Sequence, residues 1–185
     1  MQTIFQIFKK WLPLAIITAG LCGLVYITMQ QSLRIGANDP QIQIAEDNAR
    51  ALNAGVSIES LVPTTKVEIA DSLAPFLLVF DDSGKVLASS ATLHGSVPAY
   101  PVGVLDNVRQ TGEERVTWQP ETGVRMATVV TMYNNGFVMA GRSLREVEKR
   151  IDQVGLISGL ALAAIWAATL LATGLGELVG RKKKV

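Results

Sequence analysis

Residues 124–154 read VRMATVVTMYNNGFVMAGRSLREVEKRIDQV. Val124–Tyr133 and Gly136–Arg142 are two runs of strand length rich in Val, Thr and Met, and Asn134-Asn135-Gly136 between them is a hairpin turn, since Asn and Gly tolerate positive φ. Ser143-Leu144-Arg145-Glu146 is a capping box, which predicts a helix that begins where the second strand ends. Val147, Ile151 and Val154 continue that helix, and neither Gly nor Pro interrupts it before Gly155. A strand, a helix and the apolar segment that follows are thus expected to form one continuous run of structure.

Reading outward from this stretch, Pro120 to Gly123 marks another turn and Glu114–Gln119 a third strand. Phe76–Phe80 and Lys85–Ser90 form a further pair, joined by Asp81-Asp82-Ser83-Gly84. Between the pair and the triplet, residues 91–101 read as a loop, and Pro101 to Arg109 as a short helix ended by Gly112. Upstream, Asn38-Asp39-Pro40 starts a helix with Pro at its first position. Ile42, Ala45, Ala49 and Leu52 recur at helical spacing and Gly55 stops the run; residues 56–75 are mixed, with a short helix expected over 67–73. The expected fold is α+β, an antiparallel five-stranded sheet covered by helices.

This domain lies between two uncharged apolar blocks, Trp11–Met29 and Val154–Gly176. Each is close to the roughly 20 residues that a helix needs to cross a bilayer. Trp11 and Tyr26 suit the interfacial aromatic belt. The outer end of the first block, VYITMQQS, has no small-x-small cleavage site, and bulky Leu21 precedes Cys22 where a lipoprotein needs a small residue. An uncleaved signal anchor is therefore expected. Lys9 and Lys10 precede the first block; Arg181, Lys182, Lys183 and Lys184 follow the second; residues 31–150 hold eleven Lys/Arg against fourteen Asp/Glu, a net of −3. Both termini read as cytoplasmic and the centre as exported, although Arg142, Arg145, Lys149 and Arg150, interleaved with acids, pull the other way. The expected organisation is a cytoplasmic N-terminus (1–10), a first span (11–30), an extracytoplasmic domain (31–152), a second span (153–176) and a basic cytoplasmic tail (177–185). The tail is a topology anchor that touches anionic headgroups.

Composition removes several chemistries. The 185 residues carry a net charge of +1, a mean hydropathy of +0.30, one Cys (Cys22) and one His (His94). No intramolecular disulfide or Cys/His zinc cluster can be assembled from these, and no phosphate-binding glycine loop is present. Nucleic acid is not an expected partner, no cofactor is expected, and the chain does not read as an enzyme.

VFDDSGKVLASS (79–90), the strand triplet over 114–142 and GRSLREVEKRI (141–151) leading into the membrane together resemble the Cache-type, PAS-like extracytoplasmic sensor domains of bacterial chemoreceptors and sensor kinases. The resemblance covers residues 38–152 and is architectural. It implies a small-molecule pocket between the sheet and the helix-loop segment after the hairpin, with binding transmitted along the exit helix. Such receptors continue into a cytoplasmic output module; here GELVGRKKKV follows the second span, so a signal is expected to pass to a separate membrane partner.

Alternation places Arg125, Ala127, Val129, Thr131 and Tyr133 on one face of their strand. Arg125 and Tyr133, with His94 and Tyr100 from the loop, Thr131 and strand-end Arg142, are the candidates to hold a small anionic metabolite. Against this, a strand-end Arg is ordinarily solvated. Trp118 reads as core, and Asp81 and Asp82 as turn residues. In the spans, Ala15, Ala19 and Gly23, and Gly155, Gly159, Ala163 and Ala167, recur every four residues, a spacing that lets helices pack within the chain or in a homodimer.

Two functions compete. A ligand-binding sensor that signals through a partner needs a cavity of roughly 300 Å3 or more with converging polar groups. A structural or assembly subunit that uses the domain as a protein–protein platform needs a filled core and an exposed apolar patch.

Overall fold

A computed structural model describes residues 2–182. Lys183 and Lys184 of the basic tail lie outside the described residues. Residues 34–148 form one compact unit, and the two chain ends, up to Leu33 and from Lys149, form another.

In the central unit, α2 (Asp39–Asn53) and α3 (Ile58–Leu61) precede the strands β1 (Val67–Glu68), β2 (Phe76–Asp81), β3 (Val86–Ser89) and β4 (Ala91–Thr92). Then come α4 (Val102–Thr111), β5 (Glu113–Glu121), β6 (Val124–Tyr133) and β7 (Gly136–Ser143). The main sheet is antiparallel throughout and has the order β3-β2-β7-β6-β5. The fold is therefore α+β with a five-stranded antiparallel sheet and helices.

Both faces of the sheet are covered, as the alternation within its strands requires. On one face Phe76, Leu78, Phe80, Met126, Val130, Phe137 and Met139 meet Leu105 and Val108 of α4 and Tyr100 and Trp118. On the other, Leu77, Val79, Val129, Tyr133, Val138 and Ala140 meet Ala45 and Ala49 of α2, with Ile42 and Leu52 beside them. Fully burying each large apolar side chain contributes about 1.5–3 kcal/mol, so these two layers hold the unit together.

Three local expectations need correction. Residues 67–73 are not a helix: Val67 N–H donates to Ser90 O at 2.7 Å and Ile69 N–H to Thr92 O at 2.9 Å, so β1 pairs in parallel with β4 before the chain turns. α2 begins at Asp39, which puts Pro40 second, where its missing N–H is equally harmless. In the β6–β7 turn neither Asn134 nor Asn135 takes positive φ; Gly136 alone does, at +150°.

In the other unit, α1 (Gln2–Gly36) and α5 (Arg145–Lys182) are each long and apolar enough to cross a membrane. Their outward side chains include Leu160 at 63% and Leu171 at 68% exposure, a surface that lipid accepts and water does not. β7 leads through Leu144 into α5, which continues without a break. Where the two long helices meet, Trp11 Nε1–H donates to Thr169 Oγ1 at 3.0 Å and Trp166 Nε1–H to Thr18 Oγ1 at 3.2 Å, with the two rings edge-on. Lys10 pairs with Glu177.

Candidate functional site

The sheet separates the residues that the sequence reading grouped. Tyr100 packs on the α4 face, and the His94 turn belongs to the same side through Leu93. Tyr133 packs on the α2 face, to which alternation also assigns Arg125, Thr131 and Arg142. They do not converge on one ligand.

Each of the six has a protein partner. Tyr100 is buried between Phe80 and Trp118, and its hydroxyl meets Thr128 Oγ1 at 2.9 Å. Burial pushes its pKa up to about 12. Tyr133 Oη donates to Phe80 O at 3.3 Å, and burial, helped by Asp81, raises it as well. Arg125 pairs with Glu148 in the first turns of α5, while its carbonyl accepts from Leu144 N–H at 2.9 Å. Arg142 Nε–H donates to Leu73 O at 3.0 Å, and Arg145 donates to Asp71 O at 2.8 Å, so the two guanidiniums hold the 71–74 segment. Thr131 Oγ1–H donates to Gly112 O at 3.4 Å.

His94 is exposed and takes φ +51°. Its Nε2 lies 2.8 Å from Glu121 Oε2, and its N–H donates to Glu68 Oε1 at 3.0 Å. The expected turn residues behave as turn residues: Asp81 Oδ1 accepts from Ser83 Oγ at 2.6 Å and from Lys85 N–H at 2.9 Å, which holds its carboxyl below the usual range.

Where the resemblance implies a ligand, between the sheet and residues 91–111, Phe80, Tyr100, Leu105, Trp118 and Met126 are buried and packed in one cluster. A cavity of about 190 Å3 lies on the other face, lined mainly by Ile44, Leu61, Pro63, Pro75 and Leu77, with Asn48 and Ser90 as polar edges.

One surface was not foreseen. Residues 95–105, GSVPAYPVGVL, contain no charge. Tyr100 and Pro98 are buried, while Val97 at 50% and Val102 at 59% stand out into solvent with Ala99 and Pro101. The buried tyrosine pins the segment from beneath and leaves its apolar side chains on show. The signal in the sequence is the uncharged run itself, in which the two prolines indicate only a loop.

In the spans, Ala15 is buried, and Ala19, Gly23, Gly155 and Gly159 line an apolar gap of about 230 Å3 together with Cys22, Tyr26, Ser158 and Leu162. Ala163 and Ala167 face outward. Each step of four overshoots a helical turn by about 40°, so Ala167 stands about 120° round from Gly155. Beyond Gly155 and Gly159 the contact continues through Ser158, Leu162, Trp166 and Thr169.

No protein-family profile, curated protein or solved structure matches this chain.

Proposed function

We propose that this chain is a two-span membrane protein whose central, Cache-type and PAS-like domain is exported and serves as a protein–protein platform in a membrane assembly. The observation that carries this is the apolar strip Val97, Ala99, Pro101 and Val102, raised over a filled aromatic core. Exposed apolar side chains grouped on one segment mark interaction sites more often than isolated ones do. The features behind the resemblance remain in place: the Asp81–Gly84 hairpin, the β5–β7 run and the passage of β7 into α5. A sensor draws less support, because the region expected to hold its ligand is lined by a buried apolar and aromatic cluster and the cavity beside α2 is smaller than about 300 Å3.

A photo-crosslinking residue at position 102, introduced into the full chain in its native membrane, is expected to give a discrete protein adduct. The same residue at exposed Glu59 is expected to give none. Absence of an adduct at both 97 and 102 would rule the platform out.

A further inference from the structure

We infer that His94, Glu68 and Glu121 form a pH-sensitive clasp that sets how the neighbouring strip 97–102 is presented. This regulation rests on the platform proposed above.

Leu93-His94-Gly95-Ser96 is a tight two-residue hairpin, closed by Leu93 N–H to Ser96 O at 2.8 Å and Ser96 N–H to Leu93 O at 3.1 Å. Both central residues take positive φ, +51° at His94 and +77° at Gly95. A non-glycine residue rarely holds that conformation unless its surroundings impose it. Here they do so from two elements distant in sequence. The Glu68 carboxylate on β1 accepts both turn amides, from His94 at 3.0 Å and Gly95 at 3.3 Å. Glu121, at the end of β5, takes the imidazole at 2.8 Å. Val97 begins the exposed strip directly after this turn.

The charges that face His94 are Glu121 from β5, Glu68 from β1 and Asp71 from the turn after β1. The hydrogen bond to Glu121 and then its charge raise the imidazole above its ordinary range; desolvation opposes them, and Glu68 and Asp71 add to the rise. Desolvation likewise works against ionising Glu68, but hydrogen bonds from the amides of His94, Gly95 and Ala70 and from the Thr92 hydroxyl together outweigh it and keep that carboxyl below its ordinary value. A raised histidine stabilises the state that binds the proton. The imidazolium–Glu121 pair is therefore complete below a pH of about 6.5 and is lost as pH rises through the higher folded value. Neutral imidazole still donates a hydrogen bond but gives up the charge assistance, so the turn loosens.

The test uses the full chain in lipid nanodiscs, purified without a polyhistidine tag, with Cys22→Ala and a spin label at Val97→Cys. The ordered fraction of the label is expected to fall about two-fold between pH 6 and pH 8.5. Its midpoint should coincide with the imidazole titration seen by NMR, which needs no assignment because His94 is the single histidine. Glu121→Gln should lower that midpoint, and His94→Gln should remove the response. A pH-independent label, or a response that survives His94→Gln, overturns the clasp. The label is read on the protein alone, so this failure is distinct from a missing crosslink at 102, which overturns the platform.

Discussion

Gly136→Ala is expected to lower the midpoint of thermal unfolding of the central domain by about 15 °C, or to prevent its folding. Gly136 pairs with Asp81 across β2 and β7 at φ +150°, and an added Cβ would stand 2.1 Å from Phe80 O and 2.7 Å from Asp81 C. Both neighbours are backbone atoms of a central strand and cannot swing aside as a side-chain tip can. Strain at this φ and overpacking together cost about 3–5 kcal/mol, a large share of the stability of a domain this size. Gly123→Ala is the control: φ is +86° there, but nothing lies within 4 Å, so its cost should be nearer 1 kcal/mol. Near-ultraviolet circular dichroism of the full chain in detergent reads the tertiary packing without the large far-ultraviolet signal of the spans. Equal losses at the two glycines would show that the close approach of β2 does not constrain position 136.

Gln41→Leu is expected to act in the opposite direction, raising the same midpoint by about 10 °C. Gln41 lies in the first turns of α2, on the helix face that carries Ala45 and Ala49 onto the sheet, and its side chain is 0% exposed. Neither Oε1 nor Nε2 has a hydrogen-bond partner among the described residues. A buried, unsatisfied polar group costs about 1–3 kcal/mol, and leucine fills a similar volume without that penalty. A net gain of about 2–3 kcal/mol follows. A fall in stability would show that the amide is engaged in the folded protein and that α2 depends on it.

What the sequence made legible follows from the range of the forces involved. The hairpins at 81–84, 120–123 and 134–136 were readable because turn residues and alternation act within a few positions. The β1–β4 pairing was not, since two-residue strands carry no periodicity and their partners are 24 positions apart (Val67 with Ala91). Alternation along β6 sorted its residues correctly into two faces but said nothing of what covers each. α2 took the face of Val129 and Tyr133, while Tyr100 took the other, and the imagined anion site was split between them. Arg125, chosen as a ligand-binding cation, was claimed by Glu148, 23 residues along, a partner that spacing on the strand cannot reveal. In the spans the repeat of four found Ala15, Ala19, Gly23, Gly155 and Gly159 at the contact, but on a helix of 3.6 residues per turn it drifted to exposed Ala163 and Ala167 and did not include Trp166. The exposed strip 97–102 escaped notice because exposure is a property of the folded surface, whereas the sequence displayed only two prolines and an absence of charge.

All that is proposed for the domain surface depends on its standing on the side of the membrane opposite to both chain ends. The direct measurement labels single cysteines on intact cells with a membrane-impermeant maleimide, in a Cys22→Ala background. Exposed Glu59→Cys should be labelled without permeabilisation, and Gln2→Cys only after it. Labelling of Gln2→Cys on intact cells, with Glu59→Cys protected until lysis, would contradict the account.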